Sequence, residues 1–344
     1  MVDLTLEDIA LQAGVSRSTV SRVLNHQPNV SQDIRQRVMD VIEVTGFQPN
    51  AAARSLASHR SWTIGLVLPK GVGAFFSDPY FPRLTQGIAQ ACNMYEYTLG
   101  LFIVNSVEDE EKIYPRISRK GLLDGILVQA GSTGDHLVER LIQNEMPIVA
   151  LGRPINQCCV NYIDIDNYGS SRIAVEHLVK LGKKRIATIT GPQESMAGRE
   201  RMRGYIEVLG DNGFELDEKL IAYGDFTQAS GYSLIRDLLP AKPDALFAGS
   251  DSIAYGALQA INEVGLKVPE DIAVVGFDDL TGPNTSLSKH QLTTIHQPVF
   301  QFGMSAVELL IDVIENGMTP VRELIVNTEL IVRETCGAPK DNES

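Results

Sequence analysis

Cysteine is scarce: Cys92, Cys158, Cys159 and Cys336 form no C-x-x-C pair and no cluster with histidine, so neither a disulfide framework nor a zinc site is signalled, and no metal or other cofactor is expected. Long apolar runs are absent as well. None approaches the ~18 residues a membrane span needs. Met1 is followed at once by a capped amphipathic helix rather than a leader, so the expected setting is a reducing cytoplasm with no membrane contact. The catalytic loops are also missing. Gly71-Val72-Gly73 lacks the third glycine and the helix start of a dinucleotide fingerprint, and no G-x-x-x-x-G-K-[ST], H-E-x-x-H or G-x-S-x-G occurs, so no enzyme is expected. Positive charge is in deficit too, the net being −13, which argues against attraction to polyanions by bulk charge. That deficit is unevenly spread. Residues 1–62 balance Arg17, Arg22, Arg35, Arg37, Arg54 and Arg60 against Asp3, Glu7, Asp8, Asp33, Asp40 and Glu43, so the remainder carries all of the excess.

What is present begins with a helical hairpin. Thr5 is an N-cap with Asp8 three positions on, and Leu6, Ile9, Ala10 and Ala13 keep one helical face until Gly14 ends it. Ser16 caps a second helix whose Val20, Val23 and Leu24 point inward, while Arg17, Ser18, Ser21 and Arg22 share the opposite face. Two helices joined by a tight glycine turn are the geometry that lays a second helix in the DNA major groove. A third helix, capped by Ser31 and carrying Ile34, Val38, Val41 and Ile42, closes a three-helix core before Gly46. The segment 50–58 has helical composition and an Asn cap, yet helices under about 12 residues are marginal alone in water, so it needs an outside partner.

From Thr63 onward apolar runs alternate with amphipathic helical runs. Strands are expected at Ile64–Leu68, Thr98–Val104, Gly125–Val128, Ile148–Leu151, Tyr162–Ile165, Arg185–Thr190, Leu220–Tyr223, Ala245–Ala248, Ile272–Phe277 and Leu324–Val332, with helices in the gaps at about 82–95, 107–119, 135–145, 168–181, 197–212, 228–239, 252–264 and 298–316. Continuous apolar strands joined by helices indicate parallel sheets covered on both faces. So many strands suit two doubly wound halves better than one sheet.

The run at 5–25, Thr-Leu-x-Asp-Ile-Ala-x-x-Ala-Gly-Val-Ser-x-x-Thr-Val-Ser-Arg-Val-Leu-Asn, and Pro-Asn-x-x-Ala-x-x-Leu at 49–56 closely resemble the lactose-repressor (LacI/GalR-type) family of bacterial transcription regulators. The resemblance implies an all-α helix-turn-helix headpiece at 1–48, a hinge helix and linker at 49–61, and an α/β periplasmic-binding-protein-like core at 62–335 with a polar tail at 336–344. Within the core it places one subdomain at about 62–161 plus 291–320 and another at about 162–290 plus 321–335, the chain crossing near Asn161, Lys289 and Val321. It assigns base reading to Arg17, Ser18 and Arg22, and phosphate positioning to Ser16, Thr19, Ser21 and Asn25, with Thr5 at the start of the first helix counted in the DNA-facing set. From the hinge, Asn50, Ala53, Arg54 and Leu56 join that set, Leu56 wedging into the minor groove. If so, the amides of 50–58 exchange rapidly in the free protein and become protected on operator DNA, which hydrogen exchange would register.

The same resemblance places a small-molecule effector between the halves. In Gly191–Tyr205 a pattern ending in Arg-x-x-x-x-Gly-aromatic puts the ligand-clamping arginine at Arg199, whose planar fork suits adjacent sugar hydroxyls or an anion. Asp278 stands at a strand end as acceptor of ligand hydroxyls. Ser250-Asp251 matches a polar-Asp pair, with Ser where the lactose repressor has Asn. Phe226 replaces its stacking Trp, and Asp78-Pro79-Tyr80-Phe81 parallels an Asn-Pro-Phe-Phe loop. Gly152-Arg153 falls where the lactose repressor has an acidic ligand residue, so that contact is absent. The implied protein is a DNA-binding regulator, a repressor and at least a homodimer, that answers to a sugar or sugar derivative. A purine or phosphosugar sensor is the alternative, and a solute-binding protein without a regulatory role the remote one, since it would need an export signal.

Overall fold

A computed structural model describes residues 4–24, 29–47, 60–68, 78–130, 136–155, 159–280 and 291–339. The chain divides into two compact units, Met1–Ser61 and Trp62–Ser344. In the first, α1 (Leu6–Ala13), α2 (Arg17–Leu24) and α3 (Gln32–Thr45) bury Ile9, Ala10, Ala13, Val20, Val23 and Val38 against Phe47. The Thr5–Asp8 capping box forms in both directions, the Asp8 amide donating to Thr5 Oγ1 and the Thr5 amide to Asp8 Oδ2. Gly14 and Gly46 then end α1 and α3 at φ +67° and +63°, where a Cβ would be strained. Ser31 occupies the N-cap of α3 without a side-chain cap bond. The hinge residues Asn50, Ala53, Arg54 and Leu56, and Asn25, lie outside the described residues.

The second unit has two six-stranded sheets. One runs in the order β11-β5-β4-β3-β1-β2 and is parallel throughout: β1 (Thr63–Leu68), β2 (Thr98–Ile103), β3 (Gly125–Gln129), β4 (Ile148–Leu151), β5 (Asn161–Ile165) and β11 (Glu323–Val326). Helices α4 (Tyr80–Met94), α5 (Val107–Ile117), α6 (His136–Gln143) and α11 (Val299–Asn316) belong to this lobe. The other runs β12-β10-β9-β8-β6-β7: β6 (Ile186–Thr190), β7 (Ile221–Tyr223), β8 (Ala245–Ala248), β9 (Ala273–Asp278), β10 (Thr293–His296) and β12 (Glu329–Ile331). Its helices are α7 (Asn167–Lys180), α8 (Met196–Asp211), α9 (Gln228–Leu238) and α10 (Asp251–Glu263). Strands β1, β3, β4, β6, β8 and β9 are nearly continuous buried runs, as two-sided cover requires.

Three details differ from the sequence reading. The run Leu324–Val332 is two strands, β11 and β12, in different sheets, and β12 pairs antiparallel with β10. Strand β10, absent from the expected set, is short and half threonine, yet lies between β9 and β12. The chain changes lobe at 166, at 297–298 and at 327–328, because β5 pairs with β4 while β10 pairs with β9. This displaces each expected crossing, near Asn161, Lys289 and Val321, by several residues.

Candidate functional site

Both sheets are doubly wound, and in such folds ligands sit beyond the carboxyl ends of the strands, where the strand order reverses. In the second lobe that point is β6, flanked by β7 and β8. There Gly191 lets Phe226 approach so closely that a Cβ at 191 would meet its ring at 1.8 Å. Phe226 is held at φ +66°.

The buried arginine beside this point is Arg201. Its Nε donates to Asn167 Oδ1 at 2.9 Å and its Nη1 to the Gly249 carbonyl at 2.5 Å, while Asp278 Oδ1 lies 3.7 Å from Nη1. The guanidinium also lies over the Phe277 ring, 3.5 Å from its centre, with Phe226 at 5.7 Å.

Arg199 does not join this cluster. It is exposed, and its Nε donates to the Gln193 carbonyl at 2.5 Å. The physical reason is helical phase: two residues on α8 are about 200° apart, and the inward face is Gly198, Arg201, Tyr205 and Val208. Arg199, expected to clamp the ligand, thus points away from the cluster, and the arginine built into it is Arg201.

From the first lobe come Asp78 and Tyr80. Asp78 Oδ1 accepts from the Tyr80 amide at 3.0 Å, opening α4. Burial pushes the Tyr80 phenol above its ordinary range, and Asp278 and Asp164 push it the same way. Phe81, expected at the ligand, is 5% exposed and packs in the hydrophobic core, with Tyr80 edge-on to it at 5.4 Å.

Ser250 and Asp251 are structural. Ser250 Oγ accepts from the Ile253 amide at 3.1 Å and caps α10. Asp251 uses both oxygens inside the protein, Oδ1 taking Thr294 Oγ1 at 2.6 Å and Oδ2 the Leu280 amide at 2.8 Å. Asp251 is thus engaged within the fold through both oxygens, while Ser250 accepts the cap bond through its hydroxyl oxygen.

Besides Arg201, two residues of the cluster are absent from the expected set, Asp164 and Asn167. Asp164 is 8% exposed at the end of β5 and accepts from the amides of Arg153 and Ile165 and from Asn167 Nδ2. Asn167 links it to Arg201. The available signal was a carboxylate interrupting the apolar run Tyr162–Ile165.

Burial raises the carboxyl groups of Asp251, Asp278 and Asp164, with Asp251 pushed up to about 7 from an ordinary 3.8. The opposing pulls are the hydrogen bond from Thr294 on Asp251, the Arg201 charge on Asp278 and the Ile165 amide on Asp164. A carboxyl raised on folding binds its proton more tightly in the native state. Its contribution to stability is therefore complete below the unfolded value and is lost as pH rises through the folded one. Urea unfolding is expected to show stability declining between about pH 4 and pH 7, with a shallower decline in Asp251→Asn. An equal slope in the variant would remove Asp251 as the source.

In the first unit, Ser16 Oγ bonds Ser18 Oγ and Thr19 Oγ1, both at 2.8 Å, and accepts the Thr19 amide at 3.1 Å, which fixes the entry to α2. Arg17 is paired with Glu7 at 3.1 Å, both exposed. Ser18 and Arg22 are exposed on the same helix, Ser21 and Thr19 partly so. Among the described residues no helix is long and apolar enough to cross a membrane, and no acidic, His or Cys cluster could hold a metal ion.

A three-helix unit presenting one polar, arginine-bearing helix, in a chain whose core carries a polar cluster at the strand ends, is the build of a DNA-binding transcription regulator. Residues 5–50 match the bacterial regulatory proteins, lacI family, and residues 175–336 match the periplasmic binding protein-like domain. The chain is 38% identical over 338 residues to the HTH-type transcriptional regulator CelR of Thermobifida fusca, covering 96% of this chain and 98% of that protein. It is 32% identical to catabolite control protein A of Priestia megaterium over 90% and 92% of the two chains. Among solved structures, a complex of the regulator CelR with cellobiose superimposes with a TM-score of 0.76 at 36% identity, covering 96% of this chain and 99% of that one. A lac repressor dimer bound to operator and the anti-inducer ONPF gives 0.80 at 27% identity, covering 97% and 99%. The chain belongs to the LacI family of DNA-binding transcription regulators.

Proposed function

We propose that this regulator is a homodimeric repressor whose operator affinity is set by a small neutral carbohydrate held between its two core lobes. The observation that carries this reading is the buried Arg201, fixed by Asn167 and Gly249 and surrounded by Asp164 and Asp278, with Phe226 beside it and Tyr80 contributed by the other lobe. Carboxylates accept hydroxyl hydrogens, a guanidinium edge donates to hydroxyl oxygens, and aromatic faces cover the apolar side of a sugar ring.

Charge favours one ligand class over the others. Asp278, Asp164 and Asp251 all act electrostatically on the single buried guanidinium of Arg201, and a fourth carboxylate, Asp78, acts on Asp278. A phosphosugar would add negative charge beside these carboxyl groups, whereas a polyol adds none and offers hydroxyl donors to Asp278. The relative solved with cellobiose supports the same class. A purine is the weaker fit, having few donors for so many acceptors.

The switch is linkage. A ligand that binds one closure of the lobes better than the other shifts the population, and the same free energy appears at the operator. Calorimetric titration with cellobiose, glucose 6-phosphate and hypoxanthine tests the reading. Binding of cellobiose, lost in Asp278→Asn, is the expected result; binding of the phosphate or the purine alone would replace it.

A further inference from the structure

The turn after β9 does more than present Asp278. Asp278 and Asp279 both have positive φ, +120° and +57°, and the first is a region that side chains rarely adopt. Such a conformation persists only where the surroundings enforce it. Asp251 takes the Leu280 amide and so fixes the exit from the turn. Asp279 reaches outward instead. Its Oδ2 lies 3.0 Å from Nδ1 of His296, and its Oδ1 lies 2.7 Å from Nη2 of Arg333.

The two partners belong to the chain segments that join the lobes. His296 ends β10, immediately before the crossover at 297–298 that leads to α11 in the first lobe. The Gln297 amide, first in that crossover, donates to the Asp278 carbonyl at 3.2 Å. Arg333 follows β12, the strand that the crossover at 327–328 delivers from β11. Strand β12 is three residues long, at the edge of its sheet, and pairs with β10 alone. Arg333 extends that anchorage, its amide donating to Thr293 Oγ1 and its Nη1 to the Leu292 carbonyl, both at 2.9 Å. All three side chains are half-buried, with Asp279 21% exposed, so these charge-assisted bonds are less screened than surface pairs.

We infer that Asp279 is a positioning residue, the clamp that ties the turn bearing Asp278 to two of the three segments joining the lobes. Its carboxylate oxygens are taken up by His296 and Arg333. It acts by making the backbone of the crossovers follow the turn, so that a ligand held by Asp278 is felt in lobe closure. This last step rests on the carbohydrate reading above; the clamp itself does not.

Hydrogen exchange by mass spectrometry on the full chain tests the clamp without any ligand. Asp279→Ala is expected to speed exchange in both 296–299 and 327–333 by about tenfold or more, the opening that follows loss of a hydrogen bond to a charged group. His296→Ala should loosen only the first segment and Arg333→Ala only the second. His296→Asn, whose amide replaces the bonded ring nitrogen, should restore the first. Strands β1, β3 and β4 should stay unchanged in every variant. No change in either segment, or uniform loosening of the whole lobe, would overturn the clamp. Titration with cellobiose separates the two readings. A wild type that binds it and an Asp279→Ala that binds with the same Kd, but no longer protects the crossovers, supports the clamp. Loss of binding in Asp279→Ala to the extent seen in Asp278→Asn would make it a ligand contact and overturn it. If wild type binds no cellobiose, the carbohydrate reading fails, and the exchange pattern alone decides the clamp.

Discussion

Arg201→Ala is expected to lower the unfolding free energy by about 3–5 kcal/mol and to abolish carbohydrate binding, the range typical when one member of a buried ion pair is removed. The cost has a definite origin. Arg201 and Asp278 keep only 7% and 14% of their side-chain surface exposed, and burial penalises the charged form of each. Their mutual attraction and the bonds to Asn167 and Gly249 offset that penalty. Without the guanidinium, Asp278 and Asp164 lose the Arg201 charge that favours their ionised forms, and the Gly249 carbonyl loses its donor. Arg201→Met with Asp278→Asn should recover most of the lost stability, since both charges go together and the volume is kept, while binding stays abolished. Urea unfolding and calorimetry read the two effects separately. A single variant within 1 kcal/mol of wild type would mean that the cluster is open to water and that Arg201 does not organise it.

Helix phase separates the arginine that the motif selects from the one that is buried. The pattern ending in glycine and an aromatic contains three arginines, Arg199, Arg201 and Arg203, spaced so that counting back from Gly204 selects the first. Periodicity selects the second, because Gly198, Met202, Tyr205, Val208 and Leu209 define the buried stripe and Arg201 lies within it. The same local rule would have reassigned Ser250. A serine directly before an apolar-periodic run is an N-cap first, and its hydroxyl oxygen accepts the Ile253 amide.

What local rules reach was legible: all eight core helices, the capping box at Thr5 and the glycine stops of α1 and α3. What depends on distant partners was not. Strand β10 has too few apolar residues to announce itself, and Thr293 and Thr294 are buried because Thr335 and Asp251 satisfy them from 42 and 43 residues away. Likewise Leu324–Val332 reads as one strand, although Asn327 and Thr328 carry the chain from one sheet to the other. Asp164 fell inside a run read as apolar. Its role becomes visible only once Arg153, Asn167 and Arg201 are seen to converge near it.

At the operator the largest single effect is expected from Arg22. Arg17 presents its whole fork to DNA only by giving up Glu7, which holds its Nε, whereas Arg22 is exposed and makes no ion pair with any described residue. An exposed pair such as Arg17–Glu7 is worth roughly 0.2–1 kcal/mol, which is subtracted from whatever Arg17 gains on binding. Arg22 carries no such charge. If its guanidinium is bidentate to a guanine, Arg22→Ala lowers affinity by about 1–3 kcal/mol per half-site and relaxes preference at one base pair. The residues 1–62 balance six arginines with six carboxylates, so non-specific attraction is weak and base contacts must supply more of the discrimination. Arg22→Lys is informative for that reason: it keeps the charge and loses the fork, so it should resemble alanine at the specified base pair and wild type elsewhere. Fluorescence anisotropy on an operator selected from random sequence, with every single-base variant, reads both quantities. A loss spread evenly over all variants, repaired by lysine, would make Arg22 a phosphate contact and move base reading to Arg17 and Ser18.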